Sequence, residues 1–505
     1  PGTLEEPWQT LEGARQNLRD YVTATGIGPG GIAVYLREGD WLVSSSFVLS
    51  SQDSGETGRP IVWRSFPGDR VRVLGAQALD SGWFSPVTSS DAEWNRLPVV
   101  ARGQVMAADL TANGITDFGQ LRYRGNGDRV TGALELFADE LPQQLARWPD
   151  ADAHDGWQSH EDEQITLYGD PVPDVTGTYN AVGTRDGVNY FMRDGQVNGQ
   201  DYYLYRHTWQ YLENWYTAWF IAAQDSGYPS DDHHWWSLYN QDLGTFNPAT
   251  DQTGATGNPT TIDPDAILWG FSLINQALSD TRFTVTTDRI SRWVGAEEPW
   301  FFGFWKWYWA ENHVAAASID AGAKTVTLSE EPNYGIADSM PWFAENLLEE
   351  ISQPGEWYLN RSTGVLYWWP PGDVNDLEIM VSMLEEPVLR VQSADHLQFV
   401  DLEFGMGRHD AAAVNYGSNV TFDRCRFFGA GNDGVRMEGT NHSVLRSEVV
   451  DTGDHGIWMK GGDRPSLTPG NNLVENTDIH RFGRWTWTYL PGIHIWGSGN
   501  TARHN

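Results

Sequence analysis

Three aspartates, Asp410, Asp433 and Asp454, recur roughly 22 residues apart, each inside a short polar cluster that runs into a glycine or alanine. Laid on a repeating backbone they form two ranks, His409, Asn432 and Asp454 in one and Asp410, Asp433 and His455 in the next. Adjacent parallel strands stand about 4.8 Å apart. Carboxylates one rung apart would then approach the roughly 5 Å separation of a retaining glycosidase pair, and those two rungs apart the wider inverting one. Asp410, Asp433 and Asp454 are thus candidates for acid, base or nucleophile, with His409 and His455 tuning them. The plain alternative is that Asp and Asn before glycine are turn residues bonding their own backbone.

A second group surrounds these ranks. Lys460, Arg464, His480, Arg484, Trp485, Trp487 and His494 lie on or beside two insertions, GGDRPSLTPG after Lys460 and WTWTYLPG after Arg484. Cationic and aromatic side chains mixed in this way suit binding of a polar or acidic sugar chain, although solvated loops show the same composition. His233-His234 beside Asp231-Asp232 is the one metal-like cluster. Neighbouring histidines cannot share one face of a strand or helix, so no metal site is assigned there. No cofactor is required by this chemistry, and calcium held by some of the carboxylates stays open.

These residues are positioned by a repeat that begins at His396. Phe399, Phe422, Val444, Val474 and Ala502 form one column; Leu402, Cys425, Ser447, Thr477 and Asn505 a second; Phe404, Phe427, Val449 and Ile479 a third. Small and apolar residues at one phase are what the interior of a solenoid demands. Asn419, Asn441 and Asn471 recur at one turn position, where stacked amides would bond each other and the backbone. The fold class is therefore all-β, a right-handed parallel β-helix.

Upstream, Leu11, Ala14, Leu18 and Val22 fall at helical spacing between a Thr10 N-cap and Gly26, which predicts a capping helix. Short β runs follow at Ile32–Leu36, Trp41–Leu49, Pro60–Ser65 and Val71–Leu74. From Ala76 to Leu384 the spacing turns irregular. The expected organisation is a cap and first rungs at 1–75, a mainly β insertion at 76–384, and the main rungs at 385–505. Within the insertion, Trp209, Leu212, Trp215, Tyr216 and Trp219 sit at helical spacing and predict an amphipathic helix. Glu356–Tyr358 and Val365–Trp369 read as a hairpin closed by a glycine-containing turn.

The 505 residues carry 68 acidic against 33 basic side chains, a formal net charge of −35, and only Lys306, Lys324 and Lys460 among lysines. Such a surface repels nucleic acid and anionic membranes. No run approaches the roughly 18 apolar residues of a membrane span. The single cysteine, Cys425, excludes an internal disulfide and reads as a small core residue. No glycine-rich phosphate loop joins a β-α unit, so nucleotide chemistry finds no support. An acidic coat with 53 glycines and 26 tryptophans suits a secreted, turn-rich β protein with aromatic platforms for sugars.

The segments GTLEEPWQTLEGARQNLRD, SSQDSG with PIVWRSFPGDRVRVLG, QQLARWPD, AENLLEEISQPGEWYLNRSTGVLYWWPP and GIWMKGGDRPSLTPGNNLVENTDIHRFGR together resemble bacterial right-handed parallel β-helix proteins akin to glycoside hydrolase family 141. The resemblance spans nearly the whole chain, apart from the tryptophan-rich stretch near Asp201–Asp251. It implies carbohydrate chemistry; known activities in such proteins include an α-L-fucosidase acting on pectin and a xylanase. It also implies a strand before Pro1 and further rungs after Asn505, among them an Asp-Ser/Ala-Gly-Ala-type segment bearing the family's catalytic acids, so no catalytic residue is carried over. The leading expectation is a secreted glycoside hydrolase acting on a plant or algal polysaccharide through two carboxylates. Two alternatives stand beside it: a polysaccharide lyase using Lys460, Arg436 or Arg464 with calcium, and a non-catalytic adhesin, sheath or fibre protein whose open last rung pairs with another chain. The oligomeric state is left open.

Overall fold

A computed structural model describes residues 2, 3, 5–150 and 270–505, and between 151 and 269 residues 196 and 201–202 and the strands of one further sheet. The solenoid has three parallel sheets. The first runs through Ile32–Leu36, Ile61–Ser65, Leu397–Val400, Thr421–Asp423, Ser443–Leu445, Leu473–Glu475 and Thr501–Arg503. The second runs from Gly39–Leu42 through Val71–Leu74, Glu403–Gly405, Arg426–Phe428 and Glu448–Val450 to Asp478–His480. The third runs through Phe47–Ser50, Leu389–Gln392, Ala412–Ser418, Val435–Thr440 and Ile457–Asp463, with Ile493–Gly497 beside the last.

The first and third expected columns are registers of these sheets, while the second, Leu402, Cys425, Ser447, Thr477 and Asn505, falls at the corner between the first and second sheets. Phe399 pairs with Phe422, Phe422 with Val444, Val444 with Val474 and Val474 with Ala502. Upstream the same column continues through Trp63 to Val34. Stacking like on like buries rings face to face: Phe399 and Phe422 lie 5.0 Å apart and Phe404 and Phe427 5.8 Å, both nearly parallel. Burying each such ring stabilises the fold by about 1.5–3 kcal/mol. Cys425 is buried among them, and burial pushes its thiol up to about 12, which keeps it unreactive.

The helix α1, Leu11–Thr25, closes the first end. Its N-cap is Thr10, whose side chain accepts from Gly13 N–H, and Leu11, Ala14 and Leu18 join the solenoid core. The run expected as one strand at Trp41–Leu49 is two strands, Gly39–Leu42 and Phe47–Ser50, because Ser44, Ser45 and Ser46 turn the corner between sheets. The asparagine column does not work by stacked amides. Asn419, Asn441 and Asn471 have φ of 58°, 57° and 54°, and their backbone N–H groups donate to Thr440, Gly470 and Gly499 on the next rung. Asn recurs there because it tolerates the left-handed corner.

The chain leaves the solenoid after Leu74 in the second sheet and re-enters at Leu389 in the third, so Trp63 pairs directly with Phe399 across the intervening insertion. The described part of the insertion is built of mainly antiparallel sheets, with one parallel pair, Gln144–Leu145 beside Glu356–Asn360. One contains the hairpin Glu356–Asn360 and Val365–Trp368; another is centred on Trp300–Trp307, Ala310–Asp320 and Pro341–Glu345. The helix expected around Trp209–Trp219 is instead a strand pair, Tyr203–Tyr211 with Asn214–Ala222. Aromatic and β-branched residues recur at every second position there, interrupted by His207 (Tyr203, Tyr205, Trp209, Tyr211; Trp215, Thr217, Trp219, Ile221), and that period outweighs the coincidental helical spacing. Leu212 and the 231–234 Asp-His cluster lie outside the described residues.

Candidate functional site

Each strand of the third sheet turns alternate residues inward. Val435, Met437, Ile457 and Met459 enter the core, leaving two outward ladders. One is Arg390, Ala413, Arg436, Trp458 and His494; the other is Gln392, Asn415, Glu438, Lys460 and Trp496. On the first ladder the Arg436 guanidinium lies 3.6 Å over the Trp458 ring centre and covers it, leaving Trp458 9% exposed, and His494 stacks on Trp496 of the second ladder at 5.4 Å and 26°. On the second, Lys460 Nζ meets Glu438 Oε1 at 2.9 Å.

At the corner that feeds these strands the two polar ranks stand side by side. Asp433 N–H donates to Asp410 Oδ1 at 3.0 Å, and His455 N–H donates to Asp433 Oδ1 at 3.2 Å. His455 Nδ1 lies 2.8 Å from the same Asp433 oxygen. In the other rank, Asn432 Nδ2 donates to Asp454 Oδ2 at 2.9 Å. None of the three carboxylates reaches solvent; Asp410, Asp433 and Asp454 are 1%, 0% and 0% exposed.

Their charges are met by the insertion. Arg129 Nη2 stands 2.6 Å from Asp410 Oδ1 and 3.3 Å from Asp433 Oδ2, and Arg124 Nη2 stands 2.7 Å from Asp454 Oδ1. Three contacts tie down the segment that carries these arginines. The fully buried Arg408 donates to the Asp117 carbonyl at 2.6 Å, and Gly132 N–H donates to the Arg408 carbonyl. Arg124 also bridges to His313 in the insertion sheet. Gly125 makes that bridge possible, since with φ 131° a Cβ there would lie 2.2 Å from the Glu311 carbonyl oxygen.

The environments split the aspartates. Burial pushes the Asp410 carboxyl up, but Arg129 and His409 together hold it well below the usual carboxylate range. Asp454 is raised, by burial first and then by neighbouring Asp433, against the pull of Arg124. Arg436 is lowered by burial and by Arg129. His494 is lowered by burial and by His455.

The remaining expected residues are scattered. His455 and His494 meet, Nε2 to Nδ1, at 2.8 Å, and His409 lies against Asp410 at 3.3 Å. Lys460 sits on the outward ladder, and Arg464 is exposed in the loop that leaves its strand. His480 belongs to the second sheet, beside Asp478, away from this face. Arg484, half-buried, donates to Glu135 at 2.7 Å, and Trp485 donates to the same carboxylate at 3.0 Å, so both fasten the insertion to the solenoid. Trp487 packs into an aromatic cluster with Phe302, Phe271 and Phe343. Sequence reasoning missed Trp458, Trp496 and Glu438, which the repeat alignment would have placed if carried a few residues further. Arg124 and Arg129 have no such signal, because only tertiary packing brings the insertion here. Among the described residues no group of three or more His, Cys, Asp or Glu side chains converges as a cation site.

Residues 389–505 match the family model described as right handed beta helix region. No curated protein matches the chain. Of solved structures, a chain titled "Glycoside hydrolase" aligns at a TM-score of 0.53 and 12% identity, covering 99% of this chain and 77% of that one. A chain titled "The complex structure of XylC with xylose" aligns at 0.37 and 10% identity, covering 98% of this chain and 54% of that one. The protein is thus a right-handed parallel β-helix protein whose fold resembles that of a glycoside hydrolase.

Proposed function

We propose that the protein is a carbohydrate-active enzyme of the glycoside hydrolase class, which binds a polysaccharide across the outward ladders of the third sheet and cleaves it beside the Asp433 corner. One observation carries this reading: the outward ladder of Arg436, stacked on Trp458, and His494 runs alongside a corner where two carboxylates on adjacent rungs share one guanidinium. Rings and stacked guanidinium planes fit the apolar faces of sugars, and Glu438 and Lys460 supply partners for hydroxyls. Asp433, buried and sharing Arg129 with Asp410, holds His455 and through it His494 on the outward ladder. The strongly acidic composition accords with use outside the cell.

A lyase is the second reading, favoured by the neighbourhood of a cation, Arg436, and a histidine held toward its neutral form, His494. Such a pair suits neutralising a uronate carboxylate while a proton leaves the adjacent carbon. One experiment separates the two. The chain is incubated with a panel of neutral and acidic plant and algal polysaccharides, and both reducing ends and ultraviolet-absorbing unsaturated ends are measured. New reducing ends without unsaturation support the hydrolase. Unsaturated ends convert the reading to a lyase, and the absence of both across the panel removes it.

A further inference from the structure

Asp433, His455 and His494 form a chain of hydrogen bonds that runs from the buried corner to the outward ladder of the third sheet. Asp433 Oδ1 to His455 Nδ1 is 2.8 Å, and His455 Nε2 to His494 Nδ1 is 2.8 Å. Exposure rises along it, from 0% at Asp433 and 3% at His455 to a half-buried His494 on the outer ladder. The protons along this chain follow from the donors and acceptors. A carboxylate only accepts, so His455 Nδ1 carries a proton and donates to Asp433. With both imidazoles neutral, His455 Nε2 is then an acceptor, and the proton between the rings belongs to His494 Nδ1. His494 Nε2 is left with its lone pair, on a ring stacked against Trp496 and in register with Trp458.

We propose that His494 is the general base of the groove and that Asp433 and His455 are its positioning residues. This rests on the hydrolase reading above. Nε2 takes a proton from a water as that water's oxygen bonds to the anomeric carbon. The bond from that carbon to the bridging oxygen breaks, and its electron pair goes to the bridging oxygen. A second water protonates that oxygen, and the hydroxide left behind is neutralised by the proton His494 releases. The charged and titratable groups that act on His494 are His455, Asp433 and Arg436, and burial, then the nearby His455 and Arg436, favour its neutral form against the pull of Asp433.

The same chain gives a role to Asp433, an aspartate with no access to solvent at an otherwise turn-like position. Asp433 accepts from His455 twice, through the backbone N–H and through Nδ1, which fixes both the corner and the tautomer.

The test uses the full chain and His494→Gln, a change on a half-buried surface strand. The expected result is a fall in kcat of about 100-fold or more, loss of the acidic limb of the pH profile, and partial rescue of His494→Ala by added imidazole. Activity of His494→Gln within threefold of the parent, with the acidic limb intact, would overturn the base assignment while leaving the hydrolase reading standing. If the parent cleaves nothing, that reading and the base role fall together. The relay is then still tested by ¹⁵N chemical shifts: a protonated Nδ1 and bare Nε2 on His494 at pH 7 uphold it, and the reverse tautomer refutes it.

Discussion

Arg129 of the insertion places Nη2 2.6 Å from Asp410 Oδ1 on the solenoid, so the polar corner is completed by a residue far away in sequence. The same guanidinium reaches Asp433 at 3.3 Å. Arg129→Met would leave two buried carboxylates on adjacent rungs without their shared cation. Removing one partner of a buried ion pair costs about 3–5 kcal/mol, and urea denaturation at pH 7 should show a loss of that order. The same variant at pH 3 should lose less, because protonated aspartates need no counter-charge.

His442 gives the fold a pH dependence of its own. It is 1% exposed, and burial pushes its imidazole down to about 4, while Val420 N–H donates to its Nδ1 at 3.2 Å. Between the ordinary histidine value near 6.5 and 4, the unfolded chain binds a proton that the folded chain does not. Stability therefore falls as pH drops through that window, by up to about 3 kcal/mol from this group. Unfolding free energies measured from pH 7 to pH 4 should show that slope in the parent and a shallower one in His442→Gln.

The interior column predicts steep costs for truncation. Phe422 stacks on Phe399 and meets Phe427 edge-on at 5.3 Å. Phe422→Ala should destabilise by about 3–5 kcal/mol, read as a lower denaturation midpoint with an unchanged slope.

At the corners the prediction concerns backbone. Asn441 holds φ 57° with its side chain exposed. Asn441→Gly should be close to neutral, whereas Asn441→Val should cost about 1–2 kcal/mol because a β-branched residue resists the left-handed region. Equal stability of the two variants would show that the corner relaxes.

Much of the solenoid was legible because each rung obeys one local rule. Phe399, Phe422 and Val444 announce their column by phase alone, and Thr10 and Gly26 mark a helix by cap chemistry. The insertion obeys no repeat, so Tyr203–Ala222 showed two competing periods and the helical one misled. The two polar ranks around Asp410 and Asp433 were visible by extending the alignment. Their burial was not, because Arg124 and Arg129 arrive through tertiary packing, whereas the Trp458–His494 ladder needed only a few more aligned positions, although its residues differ in type from rung to rung.

The most direct test of the groove uses Trp496→Ala, which removes an exposed ring from the outward ladder without opening the core. The quantity to measure is kcat/KM for release of reducing ends from the polysaccharide that the parent cleaves best. Loss of a stacking platform worth about 1–2 kcal/mol predicts a fall of roughly 5- to 30-fold at unchanged thermal stability. An unchanged kcat/KM would contradict the account and place the sugar chain somewhere other than the third sheet.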